Sequence, residues 1–277
     1  MTWSRALLFV SFALATSLPL NAAIAAGVET NVAGELRVAY RTDDKPVSFL
    51  QDGKPTGFLI ELVDDIARRL GLQVTYVSTT FAAMVPAVQN HQLDTAAFGV
   101  LVTPKRAAVV DFTTPVGYGQ AQLVSRRNAP LAAIERADGK TVAVTTASAL
   151  IPLLQKIAPK VTIKEFPNIA SSTNALIAGQ VDGLFTGNAT AGHLVEQHPE
   201  LTATQTVESG INALPVAKDR PKLLAALNQA LASAMKDGTF TRLFVKWNGP
   251  AMAIPQRLFS DYPGMPHPAP DAVHAAR

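Results

Sequence analysis

The chain has 277 residues, with 24 Lys and Arg against 21 Asp and Glu for a formal net charge of +3, and 48% of its residues are hydrophobic. A surplus that small, with aromatic residues at 6%, gives no nucleic-acid footprint, and the apolar content fits a globular protein rather than a disordered one. Cysteine is absent, so no disulfide framework holds the fold together.

The first stretch reads as a targeting segment. Met1 to Arg5 is a short basic lead, ALLFVSFALATSLPL is an apolar run, and NAAIAA ends it in small residues, the order of a secretory signal peptide with cleavage expected after Ala25 or Ala26. Pro19 and Asn21 interrupt the run before the roughly 20 apolar residues a bilayer crossing needs. With no Cys to carry a lipid after processing, a soluble periplasmic product is expected, and loss of Arg5 takes its charge from +3 to +2. At about 250 residues it can bury one or two substantial cores.

Along the mature chain, ELRVAY alternates as a strand should, and VSFLQDGKPTGF places two apolar runs around Asp52-Gly53, a hairpin signal. LIELVDDIARRLG sets Leu59, Leu62, Val63, Ile66, Ala67 and Leu70 on one helical face, with Gly71 closing the helix. Strand LQVTYV, helix FAAMVPAVQN, strand LDTAAFGV and helix TPKRAAVV follow, an alternation that predicts parallel strands covered by helices. A second set of the same kind runs from KTVAVTT through ALIPLLQKIAP, VTIKEF, SSTNALIAGQ and VDGLFT to ATAGHLVEQH. Two such sets predict two α/β lobes, with YGQAQLVSRR and VESGINALPVA as paired crossings between them. PKLLAALNQALASAMKDGTFTRLFVKW is a final helical region, and residues 250–277 form a Pro- and Ala-rich C-terminal tail whose last part is expected to be exposed and poorly ordered.

One stretch poses a chemical question. In TPKRAAVVDFTTP, Thr103 is an N-cap and Pro104 the first helical residue, yet Lys105 and Arg106 are cations at a helix start, where partial positive charge already sits. A negative group is wanted beside them. Lys105 is expected to face solvent.

The strings LRVAY, KPTGFLIELVDDIARRLG, MVPAVQNHQLD, TPKRAAVVDFTTP, DGKTVAV, ALIAGQVDG and GTFTRLFVKWNG occur in an order that resembles family 3 of the bacterial extracellular solute-binding proteins, from about Glu35 to Gly249. The resemblance implies a two-lobed α/β periplasmic-binding-protein fold of type II, each lobe a mostly parallel sheet flanked by helices. Lobe 1 would span 34–120 plus 211–249 and lobe 2 would span 121–210, closing on a ligand like a hinged jaw. It implies capture of an amino acid or related small carboxylate, delivery to a membrane ABC permease, and a monomer with no cofactor and no nucleic-acid partner. The family's arginine in TP-x-R grips the ligand carboxylate, which assigns that role to Arg106. A guanidinium's parallel N–H donors fit a carboxylate, and free backbone N–H groups at the helix start would add to it.

Further candidates are Gly99 and Val100, at the C-terminal end of a parallel strand where ligands of open α/β sheets bind. Ser148 with Thr146 stands before a lobe-2 helix, and Ser148 serves equally well as an N-cap. Asp44 and Phe49 lie in the stretch, with Arg41 and Asp43, from which the family stacks an aromatic on the ligand, and Phe49 could as well be core. Two departures stand out. The carboxylate that holds the α-ammonium in this family, five positions after the Asp of VDG, is here Gly187, and Leu101 replaces a helpful Ser or Thr. Either Asp43 or Asp44 takes the amine, or the ligand is not an ordinary α-amino acid, in which case Thr186 and Asn188 would suit a neutral group or a second carboxylate oxygen. Asp182 is read as structural.

The same fold hosts a periplasmic cyclohexadienyl dehydratase and sensor domains, so an enzyme or a ligand sensor is the alternative. Glu165 in IKEF is read as solvent-facing rather than catalytic. His193, Glu196 and His198 lack a metal-binding spacing, ADGKT has Ile134 where a phosphate loop needs its first glycine, and GYGQAQ lacks the last glycine of a dinucleotide turn.

Overall fold

The computed structural model describes residues 28–248 and 252–269. The signal peptide read at 1–26 and the last part of the tail lie outside them. No described helix is long and apolar enough to cross a membrane.

The first lobe opens with β1 (Glu35–Tyr40), a three-stranded antiparallel sheet of β2 (Asp43–Asp44), β3 (Ser48–Gln51) and β4 (Lys54–Thr56), α1 (Phe58–Leu70) and β5 (Gln73–Ser78). The turn between β3 and β4 uses Asp52 at φ +51 and Gly53 at φ +74, the two positive angles a tight hairpin turn requires. After α2 (Phe81–Gln89) and β6 (Thr95–Ala96), β1 lies between β5 and β6, parallel to both. Beyond them come α3 (Pro104–Ala107) and β7 (Val110–Phe112).

Helix α1 is the keystone of this lobe. All the apolar positions expected on its inner face are buried, and Gly71 ends it in the left-handed conformation at φ +69. That face shares one core with Leu36 and Val38 of β1 and with Leu227, Leu231 and Phe240 from the last helices. Burying it contributes about 25 cal/mol per Å² of apolar surface, which outweighs any helix-propensity term.

Strand β8 (Gly117–Arg126) leaves the first lobe and enters a six-stranded sheet ordered β10-β9-β11-β8-β12, with β13 also pairing β8. Its members are β9 (Thr141–Thr145), β10 (Thr162–Phe166), β11 (Gly183–Gly187), β12 (Leu201–Ala203) and β13 (Val207–Asn212). Strands β9, β10 and β11 are mutually parallel, and β8 runs against β11, β12 and β13. Helices α4 (Leu150–Ile157), α5 (Ile169–Ile177) and α6 (Asn188–Gln197) cover this sheet, and a short 3₁₀ turn spans Ile134–Ala137. Strands β8 and β13 pair antiparallel from Ala121 opposite Val207 to Gly117 opposite Asn212, with a register shift between Glu208 and Gly210. They are the two crossings. β14 (Pro215–Ala217) then pairs β7, and α7 (Pro221–Lys236) and α8 (Thr239–Asn248) break at Gly238, φ +79.

One expectation needs correction. The helix expected through TPKRAAVV is a single turn, Pro104–Ala107, because the β-branched pair Val109-Val110 feeds into β7, which bonds to β14. The Pro- and Ala-rich tail is packed over residues 252–269: Ile254, Leu258, Tyr262 and Met265 join the first-lobe core around α9 (Gln256–Asp261). Its prolines restrict the unfolded chain and lower the entropy lost on packing rather than preventing it. The Tyr262 hydroxyl lies 2.7 Å from Thr114 Oγ1 and 2.8 Å from the Pro115 carbonyl oxygen, Tyr118 hydrogen-bonds Asp261, and the Arg257 guanidinium sits 4.7 Å from the Tyr118 ring centre.

Candidate ligand-binding site

A cavity of about 1190 Å³ opens between the lobes, and the ends of parallel strands supply much of its wall. Arg41 follows β1, Gly99 and Leu101 follow β6, Thr145 ends β9, and Thr186 and Gly187 end β11. Placing side chains at such strand ends lets loops carry the chemistry while the sheets fix their position.

Arg106 enters this cavity from the first lobe. Thr103 caps the turn beneath it, its Oγ1 accepting the Arg106 N–H at 3.3 Å, so that backbone donor is spent and the guanidinium alone faces the gap. Arg106 Nη1 donates to the Leu101 carbonyl (2.8 Å), and Nη2 crosses the gap to the Ala147 carbonyl (3.2 Å). The Phe81 ring lies against it, 5.1 Å from guanidinium carbon to ring centre. Burial lowers its pKa, yet a guanidinium stays charged. Among the described residues no carboxylate comes within ion-pair distance of it. The negative group that the sequence calls for is therefore absent from the chain's own described residues, and the three remaining N–H donors of a five-donor guanidinium are available.

Arg41 is different. It is 6% exposed and paired with Asp43 (3.2 Å) and Asp44 (3.7 Å). Both acids also reach the second lobe: Asp43 Oδ2 accepts the Ala170 N–H at 3.0 Å, in the first turn of α5, and Asp44 Oδ1 accepts the Thr190 hydroxyl at 2.7 Å on α6. Burial raises the Asp44 pKa above its ordinary value, Arg41 and the Thr190 hydrogen bond oppose that rise, and Asp43 adds to it. The lobes are thus fastened at three points, Asp43, Asp44 and Arg106.

Of the other residues singled out from sequence, Gly99, Ser148, Thr186 and Asn188 line the cavity with Asp44 and Arg106. Ser148 also caps locally, its Oγ accepting the Leu150 N–H at 3.2 Å. Three lie elsewhere. Val100 is fully buried, in a core with Met84, Phe98 and Val110, and its carbonyl accepts the Ala213 N–H at 3.1 Å. Thr146 bonds its N–H to the Phe166 carbonyl, and the alternation of side chains along β9 turns Thr145 into the cavity in its place. Phe49 is 3% exposed and stands edge-on to Trp247 at 5.7 Å.

The aromatic against the cationic end is Phe81, which sequence reasoning placed only in a helix. Its position directly after the N-cap Thr80 is the signal that could have found it, because a first-turn side chain projects past the helix end. Ala147, at φ +60, adopts a left-handed conformation that aims its carbonyl at Arg106. Lys105 is exposed, Glu165 is exposed with its carboxylate on the Ala147 N–H, and Asp182 accepts the Thr141 N–H at 2.9 Å in a structural role. His193 and Glu196 lie along the cavity rim while His198 contacts Glu200, and among the described residues no group of three or more His, Asp or Glu is placed to hold a metal.

Comparison with known proteins agrees with this architecture. The "Probable histidine-binding protein" of Campylobacter jejuni is 26% identical over 223 residues, covering 79% of this chain and 87% of that protein. Among solved structures, an ancestral arginine-binding protein bound to glutamine superposes with a TM-score of 0.74 at 33% identity, covering 79% of this chain and 99% of that one. An ancestral amino-acid-binding protein described as a precursor of cyclohexadienyl dehydratase gives a TM-score of 0.73 at 28% identity, over 78% of this chain and 96% of that one. The sequence model of the bacterial extracellular solute-binding proteins, family 3, matches residues 36–250, and the chain belongs to that family.

Proposed function

We propose that this protein captures an amino acid or related small carboxylate between its lobes in the periplasm, as a monomer, and presents it to a membrane ABC permease. The observation that carries the reading is Arg106: a partly buried cation in the inter-lobe cavity, held by two carbonyls and an aromatic ring, with donors to spare and no acid of the described chain beside it. A carboxylate docked there makes charge-assisted, paired hydrogen bonds, and it bonds the lobes through Arg106 of the first and the Ser148 region of the second. Gly99, Thr186 and Asn188 complete the wall.

The experiment is a thermal-shift screen over amino acids, dicarboxylates and amines, followed by calorimetry of the best hit on the wild type and on Arg106→Ala. The substitution should weaken binding by more than about 2 kcal/mol with the fold intact. Equal affinity in the two proteins removes Arg106 from the site.

We read the protein as a binder rather than a dehydratase. Asp44 is committed to Thr190 and Arg41, and Glu196 sits exposed at the rim, so neither is poised as a general acid beside Arg106. Incubation with prephenate or arogenate should leave both unchanged, and product formation would reverse the reading.

A further inference from the structure

Of the cations among the described lining residues of the cavity, Arg41 is paired with Asp43 and Asp44 and Lys246 with Glu61, and Arg106 has no ion pair. The acids among those lining residues are Asp44 and Glu196. Neither acid is free at depth. Asp44, its side chain 13% exposed, already accepts the Thr190 hydroxyl and faces Arg41, and Glu196 lies exposed along α6 with His193.

The second-lobe wall is built from neutral groups. Thr186, Gly187 and Asn188 stand at the end of β11, with Gln120 and Gln122 on the neighbouring β8. Asn188 Nδ2 donates to Gln120 Oε1 at 3.2 Å, and Gln122 Nε2 donates to the Thr204 carbonyl at 2.6 Å. Those bonds leave the Gln120 N–H₂, one N–H each on Asn188 and Gln122, the Asn188 and Gln122 amide oxygens and the Thr186 hydroxyl as unspent donors and acceptors, which match a hydroxyl, keto or amide group. An ammonium held there would meet dipoles but no carboxylate, and a buried cation without an anionic partner is strongly disfavoured. Gly187 leaves space in front of this wall: a Cβ built on it meets nothing nearer than the Gln120 carbonyl at 4.0 Å.

We infer that the ligand is a small carboxylate whose second polar end is neutral, a hydroxy, keto or amide group in place of a free ammonium. This inference rests on Arg106 holding the carboxylate, and its test separates the two. Matched pairs are titrated by calorimetry: alanine against lactate, phenylalanine against phenyllactate, glutamate against 2-oxoglutarate. The tightest-binding pair is repeated on Arg106→Ala, Gly187→Asp and Asp44→Asn. Gly187 has φ −61° and ψ 146°, an ordinary conformation at the N-cap of α6 that favours Asp, so that variant is expected to fold.

In the wild type the member without an amine should bind at least tenfold tighter, Arg106→Ala should abolish the difference, and Gly187→Asp should move the preference toward the amino acid. Tighter binding of the amino acid in the wild type, lost in Arg106→Ala and in Asp44→Asn, overturns the neutral-end inference and leaves the Arg106 reading standing. Carboxylate binding indifferent to Arg106→Ala, or none for any pair, overturns both.

Discussion

Replacing Asp43 by Ala tests whether the chain fastens its own lobes. Asp43 Oδ1 takes Arg41 Nη2 at 3.2 Å and Oδ2 takes the Ala170 N–H at 3.0 Å, and only the second bond crosses between the lobes. A hydrogen bond from a backbone N–H to a charged carboxylate contributes about 1.5–3 kcal/mol, and here the acceptor also sits in the first turn of α5, where the helix dipole favours an anion. Arg41 keeps Asp44 at 3.7 Å, so the first lobe retains a partner for its buried cation. Taking about 2 kcal/mol as the inter-lobe share, the ratio of closed to open forms falls about 30-fold without any ligand present. Small-angle scattering of the ligand-free protein should show a larger radius of gyration for Asp43→Ala than for wild type, and Asp43→Asn, which keeps a neutral acceptor, should fall between them. Superimposable curves for all three would refute the reasoning, because the Asp43 bond would then have no bearing on closure.

Leu258→Ala should cost about 2–5 kcal/mol, since Leu258 is fully buried in the first-lobe core, and a lower urea midpoint with an unchanged slope is the expected readout. An unaltered midpoint would mean that residues 252–269 pack without stabilising. Burial raises the Asp44 pKa, so the folded protein holds that proton more tightly than the unfolded chain, and stability falls as pH rises from the ordinary value of 3.8 through the raised one. Asp64 and Asp94 are also raised, burial being the main cause in each, so Asp44→Asn should flatten this slope without removing it; identical slopes would contradict the assignment.

Local chemistry was legible where a few adjacent residues decide the outcome. The α1 face from Leu59 to Leu70, the Gly71 stop, the Asp52-Gly53 turn and the Thr103-Pro104 start all follow from spacing and allowed dihedrals. Partners distant in sequence were not legible. Nothing in AAVV announces β14, whose pairing cuts α3 short, and nothing near Arg106 announces the Ala147 carbonyl 41 residues away. Thr145, the last residue of β9, lines the cavity and its neighbour Thr146 does not, a one-position difference that sequence spacing does not resolve. Residues 254, 258 and 262 recur every four positions and are all buried, although the helix itself spans only Gln256–Asp261, so the Pro-rich composition hid a packed segment.

The brace formed by the C-terminal segment also bears on where the jaw should pivot. Thr114, Pro115 and Tyr118, where the chain enters the first crossing, are gripped by Tyr262, Asp261 and Arg257, whereas the second crossing carries Gly210 at φ +125 beside its register shift. A beam clamped at its root and notched along its length flexes at the notch. Rotation during opening is therefore expected nearer Gly210 than the clamped root of β8. Amide exchange should be faster at residues 208–211 than at 116–119, and the reverse order would put the axis back at the root.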